Sequence, residues 1–308
     1  MSSFEFSHVP VMLHEAVDGL NIRPDGVYVD CTTGGGGHSF EIASRLDGGR
    51  LICFDRDPDA IEAAKKRLRA FNDKVTFVNR NFCDIIDVLN GERVDGVLID
   101  LGVSSYQLDN PERGFSYMRD AYLDMRMNQT EGISAYDVVN SYSREELVRI
   151  FRDYGEERFA SRIASAIVSN RENKPISTTH ELAKIAVKAI PGATKNDSHP
   201  EKRIFQAIRI EVNGELEIIP PTVRSITASL RPGGRISVIT FHSLEDRLVK
   251  QTYAELAKGC TCPPKLPVCV CGKKPQLKLC GKAILPSAEE LAVNSRSASA
   301  KLRVAEKI

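Results

Sequence analysis

The sequence predicts an α/β fold: a parallel sheet covered by helices, with an all-helical insertion. Three observations lead there. From residue 27 to 100, short apolar runs alternate with helix-like runs. A cluster of four glycines joins the first run to the first helix in VYVDCTTGGGGHSFEIA, Val27 to Ala43. Residues 131 to about 205 then read as helices alone, after which the alternation resumes.

In chain order, VYVDC predicts a strand, HSFEIASRL a helix and RLICFD a strand. DPDAIEAAKKRLRAF predicts a helix with Asp57 as N-cap and Pro58 in its first turn. VTFVN and VDGVLID are further strands, dense in Val, Ile and Leu as strands buried on both faces should be. Residues 106 to about 130 show neither period and predict a long functional loop. SREELVRIFRDY, EERFASRIASAIVSNR and THELAKIAVKAI have helical apolar spacing, and Ser143/Glu146 and Thr178/Glu181 match capping boxes. RIFQAIRIEVNGELEII predicts one helix. SITASLRPGG predicts the end of another, with glycines as its stop. RISVITFHS is a strand, EDRLVKQTYAEL a helix, and AKLRVAEKI the last strand. Domain limits follow: 1–108 with 206–308 for the sheet domain, 109–205 for the insertion.

The bulk numbers exclude some classes. The chain has 308 residues, 42% hydrophobic and 27% charged, as an ordinary globular protein does. Its formal net charge is +1, so any nucleic-acid footprint must be local. No run reaches the roughly 20 apolar residues of a membrane span. The N-terminus has no basic n-region before an apolar core, so a cytoplasmic location is expected. Cys31, Cys53 and Cys83 are expected as small buried hydrophobes.

The glycine cluster narrows the ligand. A dinucleotide G-x-G-x-x-G would need glycine where Ser39 or Phe40 stands, and no lysine follows in P-loop spacing. What remains is D-x-T-x-G-x-G, Asp30 to Gly36, an acid at a strand end before a turn whose backbone a ligand can approach. A tight packing turn would use the same glycines. Asp55 ends the second strand and can accept hydrogen bonds from ribose hydroxyls. Phe82, after the third strand, can pack against an adenine face or belong to the core. Asp100 ends the fourth strand at the edge where such sheets bind ligands, and it is the candidate catalytic residue. A helix cap or turn is its bland reading.

Seven blocks together are distinctive: DCTTGGGGH from Asp30, DLGVSSYQLD from Asp100, ERGFSYMRD from Glu112, LDMRM from Leu123, YGEERFASRIA from Tyr154, FQAIRIEVNGEL from Phe205 and FHSLEDR from Phe241. The chain closely resembles the ribosomal RNA small subunit methyltransferase H family, from HVPVMLHE at His8 to the C-terminal KLRVAEK. The resemblance implies a class I (Rossmann-like) methyltransferase domain that uses S-adenosylmethionine. It implies methylation of N4 of a cytidine in the decoding region of 16S rRNA, with rRNA or the small ribosomal subunit as partner. It places cofactor contacts on Gly36, Gly37, His38, Asp55, Phe82, Asp100 and Gln107. The insertion would then shape an RNA-recognition surface or a homodimer contact. Asp100 would act as acceptor or base for the amine, or hold cofactor alone while Ser104 or a backbone carbonyl meets the amine. Tyr106 could stack on the base. His242 could line the substrate side or cap a helix. Arg113, Arg119 and Arg126 could contact phosphates or be solvated. The rivals are a nicotinamide oxidoreductase and a catalytically silent ribosome-assembly factor.

Residues 247–282 hold eight Lys/Arg against one acid, Glu255, and are the strongest basic stretch. Residues 151–210 hold 11 against seven, a milder excess. Inside the first stretch lies CTCPPKLPVCVCGKKPQLKLC, with spacing C-x-C-x6-C-x-C-x8-C. Four thiolates in two close pairs can meet tetrahedral zinc, so Cys260, Cys262, Cys269 and Cys271 are expected ligands of a structural zinc, with Cys280 spare.

Overall fold

The structure is a computed structural model and describes residues 10–190, 201–260, 262–263, 267–268 and 270–308. The chain divides into two compact units, Met1–Gly102 with Leu216–Ile308, and Val103–Glu215. Among the described residues no helix is long and apolar enough to cross a membrane.

The first unit begins with α1 (Leu13–Gly19), β1 (Val27–Asp30), α2 (Gly37–Ser44), β2 (Arg50–Phe54), α3 (Pro58–Arg67), β3 (Val75–Val78), α4 (Ile85–Leu89) and β4 (Val94–Asp100). Asp57 caps α3 as expected, its carboxylate accepting from the Asp59 N–H at 3.1 Å. All of β4 but Asp100 is buried, as a strand covered on both faces must be. Gly96 in its middle lies against the Tyr28 ring, with no room for a side chain. Cys31 and Cys53 are buried as expected. Cys83 is exposed, because the Asn81 side chain caps a surface 3-10 turn, Phe82–Asp84, that contains it.

The second unit is helical: α5 (Ser105–Asp109), α6 (Ala135–Ser141), α7 (Arg144–Asp153), α8 (Ala160–Arg171), α9 (Thr179–Ala189) and α10 (Glu201–Asn213). Both expected capping boxes are present, at Ser143 and Thr178. A third, at Ser134, starts α6. Leu147, Phe151, Ile163, Ile167, Leu182 and Ile208 join its core. The compact helical unit spans 103–215, against the expected 109–205: Val103 and Leu108 pack against its core at one end, and Ala207, Ile208 and Val212 of α10 at the other.

The chain returns to the first unit with α11 (Ile219–Ser229), β5 (Leu230–Thr240), α12 (Ser243–Ala257), β6 (Leu277–Leu279), α13 (Ala288–Val293) and β7 (Lys301–Lys307). The helix expected over RIFQAIRIEVNGELEII is shorter: α10 stops at Asn213, and α11, whose end the sequence also predicts, begins at Ile219. Gly214 at φ +60° ends α10, and prolines open α11. Gly233 and Gly234 do not stop a helix, since α11 already ends at Ser229. They sit in β5, where four residues, 231–234, stand opposite the single Asp95 of β4: Leu230 pairs Val94 and Arg235 pairs Gly96. Such a bulge needs the positive φ that Gly233 supplies. Among the described residues seven strands form one sheet, in the order β3-β2-β1-β4-β5-β7-β6. The first five are parallel, β7 is antiparallel to β5, and β6 is antiparallel to β7.

Candidate functional site

From β1 the chain moves out through β2 to β3, then returns to the other flank of β1 as β4. That reversal leaves a crevice at the carboxyl ends of β1 and β4, where open α/β sheets bind ligands. The glycine turn spans this edge. Cys31 N–H donates to Leu98 O of β4 at 2.9 Å, and Thr33 N–H to Phe54 O of β2 at 2.9 Å. Gly34 and Gly36 take φ +51° and +78°. A Cβ on Gly36 would come within 3.3 Å of the Ala64 Cα in α3, and one on Gly37 would strike the Pro10 ring. Part of the glycine requirement is thus close packing, the bland alternative, and part is backbone conformation.

Three acids stand at the strand ends. Asp30 is fully buried; its carboxylate accepts from Ser39 Oγ at 2.6 Å and Thr32 N–H at 3.1 Å. Burial pushes it up to about 6, against those hydrogen bonds. It braces the turn. Asp55 accepts from Gly34 N–H at 2.7 Å and Asp57 N–H at 2.9 Å. Burial, with Asp57 and Asp30 nearby, raises it to about 7. Asp100 donates its own N–H to Thr32 Oγ1 at 2.6 Å. Its side chain is held well above the usual carboxylate range, by burial first and then by the charges of Asp30 and Glu245. Its Oδ1 is buried with no hydrogen-bond partner among the described residues.

His38, in the first turn of α2, is 5% exposed. Its Nε2 lies 3.0 Å from Val11 O, a carbonyl that can only accept, so Nε2 carries the proton. Burial lowers the ring to about 4 and keeps it neutral. The bare Nδ1 faces Asp100 Oδ2 at 3.7 Å, longer than a hydrogen bond. Phe82 is half-buried and opens the turn that follows β3. The first unit therefore brings Gly36, Gly37, His38, Asp55 and Asp100 to the strand-end region. Gln107 belongs to the helical unit. There it closes a capping box, its Oε1 accepting from Ser104 N–H at 3.0 Å and its N–H donating to Ser104 Oγ at 3.2 Å.

Two residues stand in motifs quoted above, D-x-T-x-G-x-G and FHSLEDR, but were given no role there. Thr32 anchors Asp100 through its hydroxyl. Glu245, 1% exposed, accepts from Phe241 N–H at 2.7 Å and His242 N–H at 3.2 Å. His242 is the N-cap of α12 in a reciprocal box with Glu245. The x-x-Glu spacing carried that signal, but histidine stands where serine or threonine is expected.

The loop arginines divide. Arg113 is 2% exposed and donates to Arg126 O at 3.1 Å and Met127 O at 2.7 Å, so it staples the loop and is closed to phosphate. Arg126 forms a bidentate pair with Asp124, at 2.8 and 3.1 Å. Arg119 is exposed. Tyr106 is half-buried, its hydroxyl 3.5 Å from Asn110 Nδ2. Of the expected zinc ligands, Cys260, Cys262 and Cys271 have sulfurs within 4.8 Å of one another; Cys269 lies outside the described residues.

The donor set fits a cationic ligand. Asp30, Asp55, Asp100 and Glu245 crowd one strand edge: the charge of Asp30 raises both Asp55 and Asp100, and that of Glu245 raises Asp100. A diphosphate would meet repulsion at this edge, whereas a sulfonium with an ammonium would be attracted.

The chain matches the MraW methylase family over residues 5–308. It is similar to the protein named ribosomal RNA small subunit methyltransferase H in Clostridium botulinum (strain Loch Maree / Type A3), 56% identical, with 99% of this chain and 100% of that one covered. The proteins of that name in Brevibacillus brevis and Finegoldia magna are 54% and 53% identical, covering 100% and 99% of this chain and 100% and 99% of theirs.

Proposed function

This chain belongs to the MraW methylase family, and from that premise we propose that it methylates N4 of a cytidine in the decoding region of 16S rRNA. The observation that carries the chemistry is Asp100: a carboxyl at the switch point of the sheet with one buried oxygen unpartnered. S-adenosylmethionine, when bound, supplies an electrophilic methyl group. Gly36 and Gly37 offer backbone for close approach, Asp55 offers an acceptor for ribose hydroxyls, and Phe82 offers an apolar face.

The cytosine amine is a weak nucleophile because its lone pair is delocalised into the ring. Asp100, once ionised, accepts an N–H of that amine, draws density onto N4 and takes the proton. His38, kept neutral beside it, leaves that charge unneutralised and stays clear of the proton. The target base must leave its stack to be reached. The helical unit, with exposed Arg119, and the basic stretch 247–282 are the proposed RNA surfaces.

Transfer of a labelled methyl group tests the reading, with free small-subunit rRNA and small subunits from cells lacking the enzyme as substrates. Nucleoside mass spectrometry is expected to find N4-methylcytidine. A different methylated nucleoside, or cofactor binding without transfer to either substrate, would refute it.

Asp55 gives a second expectation. Its ionised form accepts from ribose, and its ionisation lies at about 7. Cofactor affinity should therefore fall as pH drops through about 7. Asp55→Asn should weaken binding by roughly tenfold, the worth of one charged hydrogen bond, and flatten the pH dependence. Calorimetric titration between pH 6 and about 8.5 checks both.

A further inference from the structure

We propose that the loop after α12 binds one zinc-class divalent cation, with the thiolates of Cys260, Cys262 and Cys271 as three corners of a tetrahedron. The site is distinct from the strand-edge crevice, and nothing in the methyl-transfer reading requires it.

The geometry is the first argument. Cys260 Sγ and Cys271 Sγ are 3.7 Å apart, and all three sulfurs lie within 4.8 Å of one another. A disulfide needs about 2.05 Å between sulfurs. Zinc bonds thiolate at about 2.3 Å, and the edge of a tetrahedron of that radius is about 3.8 Å. The Cys260–Cys271 separation is close to that edge and far too long for a bonded pair. The Cys262 N–H also donates to Cys260 Sγ at 3.3 Å, the kind of outer bond that steadies a ligating thiolate. Gly272, at φ +62° and with open space around it, turns the chain directly after Cys271.

The loop's need for a staple is the second argument. Its stem is closed: Gln276 N–H donates to Leu256 O at 2.8 Å, and Gly259 lies against the Pro275 ring. Beyond that stem the described residues form no helix or strand before β6. Val268 and Val270 are 70% and 79% exposed, so no apolar core gathers these cysteines. A long loop of this kind stays open unless something crosslinks it. Three thiols give up three protons on binding a divalent cation and leave a net charge of −1. Lys258, Lys273 and Lys274 neighbour the ligands in sequence and suit that charge. Zinc is the ion such sulfur donors select, being without redox chemistry and content with four ligands.

The full chain, carrying no metal-affinity tag, is purified reduced and without chelator, and its metal content is measured by mass spectrometry. Cobalt is then titrated into metal-stripped, reduced protein. The expected result is one zinc per chain, and one cobalt giving thiolate charge-transfer bands with the intense visible bands of a tetrahedral site. Cys260→Ser, Cys262→Ser and Cys271→Ser should each weaken cobalt binding by at least about 100-fold. Cys280→Ser and Cys83→Ser, outside the cluster, should leave it unchanged. Hydrogen exchange in residues 258–276 should quicken when wild-type protein is stripped, a readout that needs no variant to fold. Failure of the thiol-titrated, reduced wild type to bind either ion would overturn the proposal. So would full binding by the triple serine variant, or a disulfide among these cysteines in protein alkylated at lysis. Methyl transfer is not the readout, so the result stands apart from the fate of the rRNA reading.

Discussion

Asp100→Asn is expected to cut methyl transfer by roughly 10²- to 10⁴-fold, the range of a lost general base, while the protein still binds S-adenosylmethionine. Asparagine keeps the shape of the side chain at the end of β4 and leaves untouched the backbone bond to Thr32 that anchors it. It removes the negative charge and, with it, the ability to take a proton. The wild-type rate should rise with pH, because the working form is ionised and burial with Asp30 and Glu245 holds the ionisation well above the ordinary carboxylate range. The variant's residual rate should not show that limb. The sign for stability is opposite. A carboxyl whose ionisation is raised on folding stabilises the fold fully only below its unfolded value. That contribution is lost as pH rises through the folded value. Asp100→Asn carries no such loss, so its Tm at pH 8 should exceed that of the wild type. Raised stability with lost turnover and retained cofactor would be hard to ascribe to damage. Normal turnover would remove Asp100 from the chemistry and leave Ser104 or a backbone carbonyl as the amine's partner.

The same electrostatics explain what the sequence revealed of this site and what it hid. Asp55 and Asp100 were legible because strand ends are legible: β2 and β4 are dense apolar runs, and each stops at its acid. The crowding that tunes them was not, because Glu245 reaches the same edge from more than 140 positions downstream of Asp100. Helix starts read well where the signal is local, as at Asp57, Ser143 and Thr178. β6 was missed because three residues carry no period; its place comes from pairing with β7, a partner supplied by the end of the chain. Gly233 and Gly234 were misread because glycine serves a helix stop and a bulge equally well, and only the β4 ladder decides between them. Arg113 looked like a phosphate ligand on its loop, because sequence does not tell which carbonyls a guanidinium will find.

That loop is where the largest loss of stability is expected. Gly114→Ala should cost roughly 3 kcal/mol, from about 1–2 for a left-handed backbone and about 1–3 for overpacking. Gly114 sits at φ +69° directly after the 3-10 turn Pro111–Arg113. A Cβ there would strike the Tyr122 carbonyl oxygen and come within 2.9 Å of the Asp124 nitrogen. Both are backbone atoms, with no rotamer to yield. The neighbouring bonds hold them in place: Met125 N–H donates to Arg113 O at 3.0 Å, and the Arg113 guanidinium ties down the two residues that follow. Gly132→Ala separates the two costs. Gly132 also has a positive φ, +78°, but nothing lies within 4 Å of where its Cβ would be. That variant should lose only about 1 kcal/mol. Denaturant unfolding of both measures the difference, and hydrogen exchange should place the Gly114 loss within residues 103–215. Equal losses at the two positions would mean that backbone conformation alone requires these glycines. A larger loss at Gly114 would assign the excess to the close approach of the chain, and so make the glycine of this distinctive loop a packing residue rather than a contact for RNA.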